Sequence, residues 1–110
     1  GTKMAFFELR QYKVRRGKMK AWLKMFDEEI MPLQVSKGMV VCGMWHGETD
    51  PSVFVWMRRF NSEAERERIC NAVYADPRWA DDIAPRAYKL IDPTKMKIQR
   101  VVANKKSNVQ

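Results

Sequence analysis

The stretch Phe6-Phe7-Glu8-Leu9-Arg10-Gln11-Tyr12 alternates in residue type, as a β-strand with two different faces does. One face carries Phe7 and Leu9 and is typical of a hydrophobic core. The opposite face carries Phe6, Glu8, Arg10 and Tyr12. A purely solvated face does not need two aromatic rings beside its charges, whereas the lining of a cavity would use all four residues. The stretch therefore predicts a first strand that contributes one face to a binding cavity.

The composition indicates one globular domain. The chain has 110 residues, of which 45% are hydrophobic and 31% charged. We expect the domain to span 4–103, followed by a polar C-terminal tail at 104–110. No apolar run approaches the roughly 20 residues that a membrane span needs, and no secretory signal is expected. Cys42 and Cys70 lack metal-ligand spacing, which predicts free thiols, a reducing compartment and a cytoplasmic location.

The net charge of +8 raises nucleic acid as a partner. The lysines and arginines are scattered over the first loop, the first helix and the tail, and no helix-turn-helix, zinc finger or RNA-binding aromatic motif is present. This pattern favours a lysine-rich soluble domain over a nucleic-acid-binding one. Binding of an acidic ligand is the alternative that the positive charge leaves open.

Hydrophobic spacing and turn signals divide the first half of the chain into elements. Residues 4–14 form the first predicted strand, which ends before Gly17. Apolar residues then recur every three or four positions up to Ser36, which predicts an amphipathic helix. Pro32 lies inside this pattern, so the helix should bend or end there. Residues 39–47 predict the second strand.

The second half repeats the strand–helix–strand pattern. Residues 53–60 are rich in β-branched and aromatic residues and predict the third strand. Ser62 and Glu65 have the spacing of a capping box before a helix over 63–75. Asp76-Pro77 predicts a short further helix through Trp79, interrupted near Pro85. Asp92-Pro93 predicts a turn, and 96–102 the last strand.

The element order β-α-β-β-α-β predicts an α+β, ferredoxin-like fold. Its four-stranded antiparallel sheet would carry both long helices on one face. We expect the face without helices to carry the charged side of the first strand together with Phe54, Trp56 and Arg58, while Val53, Val55 and Met57 face the helices. On the second strand either pair, Gly43 and Trp45 or Met44 and His46, could join that face. So many exposed aromatic residues predict that two chains pair these faces into a closed barrel, and hence a homodimer.

The chain resembles the NIPSNAP family of the dimeric α/β-barrel superfamily. The resemblance rests on the order and spacing of short stretches across almost the whole domain. These stretches are Glu8-Leu9-Arg10-Gln11-Tyr12, Gly17-Lys18-Met19, Gly43-Met44-Trp45, Val55-Trp56 through Ser62-Glu63-Ala64-Glu65-Arg66-Glu67, and Ala75-Asp76-Pro77-Arg78-Trp79. The resemblance implies a ferredoxin-like protomer, an obligate dimer and a cavity on each sheet face. It implies little about activity, because the wider superfamily includes cofactor-free monooxygenases, cyclases, haem-degrading enzymes and proteins without a known reaction.

Three residues are candidates for catalysis: His46, Glu8 and Arg10. His46 is the sole histidine and could move a proton near neutral pH. Arg10 could hold a carboxylate or enolate oxygen, with Glu8 orienting it. A rim histidine and a structural ion pair are the alternatives. The residues expected to contact a ligand are Phe6, Tyr12, Met44, Trp45, Phe54, Trp56 and Arg58.

Two functions of different classes follow from these residues. The chain could bind a small hydrophobic or aromatic, oxygenated ligand without turnover. It could instead be a cofactor-independent enzyme in which His46 moves the proton while Arg10 and Tyr12 stabilise an enolate. The enzyme hypothesis requires these three side chains to converge on one enclosed volume. We expect no metal and no cofactor, because neither metal-ligand spacing nor a phosphate-binding glycine loop is present.

Overall fold

A four-stranded antiparallel sheet organises the computed structural model, which describes residues 5–110. Its strands are β1 (Phe6–Val14), β2 (Val40–His46), β3 (Val53–Phe60) and β4 (Ile91–Val101). They lie in the order β2-β3-β1-β4, which confirms the predicted ferredoxin-like α+β class. The expected start of the first strand at residue 4 falls outside the described residues.

The first long helical region consists of three joined pieces. Helix α1 (Met19–Met25) leads into a π-helical segment (Phe26–Ile30), which leads into helix α2 (Met31–Ser36). Pro32 is the second residue of α2 and, because α2 continues a preceding helical segment, it removes one backbone donor from that path. The helical path nevertheless continues through Pro32, and the wider π turn just before it takes up the strain that a proline imposes on the preceding turn.

Helix α3 (Glu63–Ala75) has the predicted bounds, and its cap is half of the predicted capping box. The Glu65 backbone N–H donates to Ser62 Oγ at 3.1 Å. The Glu65 carboxylate, however, accepts from the backbone N–H of Asn61 at 2.6 Å instead of that of Ser62. The cap still supplies an acceptor to a first-turn N–H that has no partner within the helix.

The last helical region and the last strand both differ from prediction. Asp76 Oδ1 accepts from the Arg78 N–H at 2.9 Å and starts a π-helical segment (Arg78–Ile83), which continues into helix α4 (Ala84–Ala87). Strand β4 begins five residues earlier than expected. Asp92-Pro93 therefore lies inside it, in a bulge where pairing passes from Gln11 opposite Lys97 to Lys13 opposite Asp92.

The charged side of β1 faces the helices, so its predicted placement on the open face is wrong. Phe6, Glu8 and Tyr12 are buried, and Tyr12 belongs to the main core. The register opposes Glu8 to Arg58, Arg10 to Trp56 and Tyr12 to Phe54, and opposed residues share a face. The alternating burial of β3 agrees, because Phe54, Trp56, Arg58 and Phe60 are buried.

Ring size explains this orientation. The space between sheet and helices is deep, and the rings of β3 fill it against the first helical region. The Phe26 ring lies 4.8 Å from the Phe54 ring and 5.1 Å from the Trp56 ring, between centroids. Burying such rings is worth more than burying the smaller side chains Val53, Val55 and Met57. The smaller side chains therefore lie on the face without helices.

That open face is still apolar, but with other residues than predicted. Its apolar residues include Leu9, Val55, Met57, Trp45, Val40 and Val101, and the same face carries Gln11, Lys13, Arg59, Lys97 and Gln99 around them. Trp45 has 51% of its surface exposed, and its ring lies over Gly43, where an added Cβ would come within 2.5 Å of the indole. Gly43 is therefore needed for Trp45 to lie flat on the strand. At one end of this face, Arg59 Nε donates to the Gln110 carbonyl at 2.6 Å, so the C-terminal segment returns there.

Candidate functional site

A cavity lies between the sheet and the helices. Its volume is about 80 Å³, measured as the space open to the centre of a water-sized sphere. Its wall is largely aromatic and aliphatic and includes Trp22, Phe26, Ile30, Trp56, Val73 and Trp79. Arg10, Tyr12 and Arg58 supply polar groups from the sheet, and Gln34 supplies one from α2. Of the predicted site residues, the structure thus brings together Arg10, Tyr12, Trp56 and Arg58, on the helix-covered face.

Glu8 lies behind this wall and is contacted by three arginines. Its Oε1 lies 2.7 Å from Arg10 Nη1 and 2.7 Å from Arg58 Nη2, and its Oε2 lies 2.9 Å from Arg66 Nε. Only 1% of Glu8 is exposed. Burial by itself raises the pKa of Glu8, but Arg58, Arg66 and Arg10 outweigh it and lower the pKa to about 2. Glu8 is therefore ionised at neutral pH.

Arg10 projects from the middle of β1 toward the cavity. Its Nε donates to the Tyr12 hydroxyl at 2.7 Å, and its Nη1 donates to Glu8. Its guanidinium carbon lies 5.5 Å from the centre of the Tyr12 ring and 5.9 Å from that of Trp56, within cation–π range. Burial lowers the pKa of Arg10, but Tyr12 and Glu8 outweigh it and raise the pKa above its usual value. Arg10 is a fixed positive charge in the cavity wall.

Arg58 is held more deeply, with 3% of its surface exposed. Besides Glu8, its Nη1 donates to Gln34 Oε1 at 3.2 Å, and its Nη2 lies 3.7 Å from Cys70 Sγ. The guanidinium carbon also lies 5.2 Å from the centre of the Trp56 ring. These contacts hold Arg58 from three elements, β1, α2 and α3, so its geometry is preorganised.

Two buried donors on the wall have no partner. Trp22 and Trp56 are each 1% exposed, and within residues 5–110 neither indole N–H has a hydrogen-bond acceptor. A buried polar group without a partner costs about 1–3 kcal/mol, so native proteins rarely leave one unsatisfied. Both tryptophans line the cavity with their rings, while their indole nitrogens are themselves buried.

The mouth of the cavity is aromatic. Tyr74, at the end of α3, and Tyr88, just after α4, both line the cavity and are 54% and 41% exposed. Burial raises the pKa of Tyr88, and the neighbouring Tyr12 and Tyr74 raise it further, so its hydroxyl is neutral at physiological pH. Beside the mouth on β4, Ile98 is paired with Arg10 in the register and is 52% exposed.

His46 does not reach this cavity. It is exposed at the end of β2 and lies in a separate surface depression with Leu23, Asp27, Met44, Trp45 and Phe54. The convergence of His46 with Arg10 and Tyr12 that the enzyme hypothesis requires is not found in this chain. The register explains it, because His46 pairs with Phe54 at the end of the sheet, while Arg10 pairs with Trp56 at its centre.

The remaining predicted ligand contacts also lie outside the cavity. Phe6 packs on Phe60, with ring centroids 5.6 Å apart, in a smaller core cluster beside α3. Phe54 is a core residue that also forms part of the depression near His46. On β2, Met44 shares the helix-side face with His46, whereas Trp45 lies on the open face, which resolves the ambiguity of that strand.

Several cavity residues were not predicted as site residues, among them Gln34, Cys70, Tyr74, Tyr88 and Trp79. Arg66, the third partner of Glu8, was also missed. A signal for it existed, because Arg66, Cys70 and Val73 recur at helical spacing and so share one face of α3. An arginine in such a row needs a buried anion nearby.

Residues 5–110 contain neither a candidate metal-binding cluster nor a helix that could span a membrane. No three His, Cys, Asp or Glu side chains in that range are grouped closely enough to hold a metal ion. None of the helices there has the length and apolar character needed to span a membrane.

A sequence model of the NIPSNAP family matches residues 7–104. No curated protein matches the chain. Among solved structures, a NIPSNAP family protein of unknown function from Agrobacterium tumefaciens strain C58 is 26% identical, with a TM-score of 0.85. The match covers all of this chain (100%) and 97% of that one.

Two further solved structures share the fold. Another NIPSNAP family protein from Agrobacterium tumefaciens strain C58 is 23% identical, with a TM-score of 0.86, over 96% of this chain and 99% of that chain. An uncharacterised NIPSNAP domain protein from Burkholderia xenovorans is 18% identical, with a TM-score of 0.80, over 93% of this chain and 97% of that chain.

Proposed function

The chain belongs to the NIPSNAP family, and we propose that it binds a small hydrophobic or aromatic, oxygenated molecule in the cavity between its sheet and its helices. The observation that carries this proposal is the cavity itself, whose largely aromatic wall also carries the polar side chains Arg10, Tyr12, Gln34 and Arg58. An oxygen atom of a ligand would bind these polar side chains, and the surrounding rings would cover its apolar part.

The wall favours a flat apolar body. Trp22, Trp56 and Phe26 approach one another edge-on or tilted, with the Trp22 and Phe26 centroids 5.8 Å apart. Rings held in this way present faces and edges against which a further ring can pack. Such contacts favour an aromatic or short branched ligand over a flexible chain, because a rigid body loses less conformational entropy on binding.

The alternative, a cofactor-independent enzyme that uses His46 with Arg10 and Tyr12, gains no support from the geometry. His46 lies in a depression of its own, beside Asp27 and Leu23. The proposal of ligand binding does not depend on His46.

The two cysteines allow a matched test of the cavity. Cys70 lines it, whereas Cys42 lies on β2 outside its wall. We expect Cys70→Met to lower the affinity for acetophenone and benzoate at least tenfold, because the longer side chain occupies ligand space. Cys42→Met should leave both affinities within twofold. Isothermal titration calorimetry measures the affinities, and circular dichroism checks that both variants are folded. Equal affinities for the two variants would contradict the proposed site.

We propose, further, that two chains pair through the open face of the sheet. The apolar side chains of this face are central and contiguous, since Leu9 pairs with Met57 and Val55 with Trp45. An apolar surface of this kind is unusual on a monomer, and pairing two sheet faces removes it from water. The ligand cavity lies on the other side of the sheet, so each chain would keep its own cavity in the pair.

A charge on that face should separate the pair. We expect Val55→Lys to shift the species in sedimentation velocity at micromolar concentration from twice the chain mass of 13.0 kDa to 13.0 kDa, because two buried ammonium groups would face each other. The matched control is Val35→Lys on α2, where the valine is 47% exposed and away from the sheet. A 13.0 kDa species for the unmodified chain would refute the pairing.

A further inference from the structure

We propose that the ligand is an organic anion whose carboxylate or enolate oxygens lie against the cavity side of Arg10 and Arg58, opposite Glu8, at the inner end of the cavity, with its apolar body toward Tyr74 and Tyr88. This inference rests on the proposed function and specifies the class of ligand and its orientation.

The polar groups of the cavity wall are almost all donors. Arg10 and Arg58 present guanidinium N–H groups beside the Trp56 ring. The acceptors that could compete are already in use, because the Tyr12 hydroxyl accepts from Arg10 and Gln34 Oε1 accepts from Arg58. A molecule that enters must therefore supply acceptor atoms, and a carboxylate or enolate supplies them in greatest number.

The charge of the wall is also unbalanced. Glu8 accepts from Arg10, Arg58 and Arg66, so a single carboxylate faces three guanidinium groups. Arg66 has a second acidic neighbour, Glu63, at 3.6 Å near the surface. No Asp or Glu among the described residues lines the cavity itself. A positive surplus at a buried site favours an anion more strongly than the same surplus would in water.

Burial decides the orientation of the ligand. Side-chain exposure is 11% for Arg10 and 4% for Arg58, whereas the tyrosines at the mouth are about half exposed. The charged end of the cavity is therefore the inner end, and the aromatic end is the outer one. Ile98, which pairs with Arg10 in the sheet, is also half exposed.

The size of the cavity limits the ligand. One water needs about 10–15 Å³ of the same measure, so 80 Å³ corresponds to roughly six water positions. This is room for one ring with a carboxylate. A larger acid would have to extend through the mouth between Tyr74 and Tyr88.

The test compares isosteric probes on the unmodified protein. Isothermal titration calorimetry at pH 7 would measure benzoate, benzamide and acetophenone. We expect benzoate to bind at least tenfold more tightly than benzamide, which has the same shape but no charge. Arg10→Gln should lower the affinity for benzoate at least tenfold and leave acetophenone within twofold. Arg68→Gln, at an exposed position of α3, is the control and should change neither affinity more than twofold.

The outcomes separate this inference from the proposed function. If benzamide or acetophenone binds within tenfold of benzoate, the cavity takes small aromatic ligands but not selectively anions, and the inference is overturned while the proposed function stands. If none of the three probes binds, the proposed function fails and the inference fails with it. If Arg10→Gln and Arg68→Gln reduce benzoate affinity equally, the net charge of the chain and not the cavity selects the anion, which also overturns the inference.

Discussion

Glu8→Gln is expected to lower the free energy of unfolding by about 3–5 kcal/mol, because it removes the carboxylate that Arg10, Arg58 and Arg66 share. The three guanidinium groups would then repel one another at a site where Glu8 is 1% exposed. The amide could still accept one hydrogen bond, but its NH₂ group would face donors. Urea unfolding followed by circular dichroism measures the change.

Glu67→Gln is the matched control. Glu67 is an exposed residue of α3, so the same chemical change there should alter the free energy of unfolding by less than about 0.5 kcal/mol. Should Glu8→Gln be too unstable to purify, Glu8→Asp keeps the charge and should be the more stable of the two. Equal stability of Glu8→Gln and Glu67→Gln would show that the arginines do not need this carboxylate.

We expect the free energy of unfolding to fall in acid, over the pH range in which Glu8 becomes protonated. Its folded-state pKa is about 2, against an ordinary value of 4.5. A lowered pKa means that the unfolded chain binds the proton more readily, so the stabilisation is fully present above pH 4.5 and is lost as the pH falls through about 2. The difference corresponds to about 3 kcal/mol. Urea unfolding at a series of pH values between 6 and 2 would measure it.

The fall in the free energy of unfolding with acid has to be attributed to Glu8, as distinct from other carboxylates. Hydrogen bonds from Arg78 and Lys37 also lower the pKa of Asp76, for example. Glu8→Gln retains those surface groups, so its stability should fall less steeply with acid than that of the unmodified chain. Parallel slopes for the two proteins would mean that the carboxylate of Glu8 is not preferentially ionised in the folded state.

The elements of the fold could be predicted because their signals are local. Ser62 and the apolar spacing that follows it define α3, and the β-branched and aromatic run at 53–60 defines β3. The two π-helical segments could not be predicted in this way. Each immediately precedes a proline-containing turn, at Pro32 and at Pro85, where the sequence signals only that a regular helix is disturbed. Whether the helix then ends or continues through a wider π turn depends on how it packs against the rest of the protein.

Four of the predicted site residues line the candidate cavity, on the opposite face of the sheet from the one predicted. Arg10, Tyr12, Trp56 and Arg58 do meet at one cavity, as their strand spacing and pairing suggest. Period-two alternation separates two faces of a strand but does not say which one the helices cover. The charges on the face of Arg10 predict an uncovered surface, and the structure shows that this prediction is wrong. The partners that allow Glu8 to be buried on this face include Arg58 and Arg66, which are distant from it in sequence.

The sequence by itself determined the order of elements, the α+β class and which side chains share a strand face, since each depends on neighbours within a few residues. Only the tertiary structure decided that Glu8 and its arginines lie under the helices, that the smaller side chains of β3 form the open face, and that His46 is separate from the cavity. These depend on contacts between distant parts of the chain. Aromatic burial against α1 and the Glu8–Arg66 pair together select one of two orientations that the alternation allows equally.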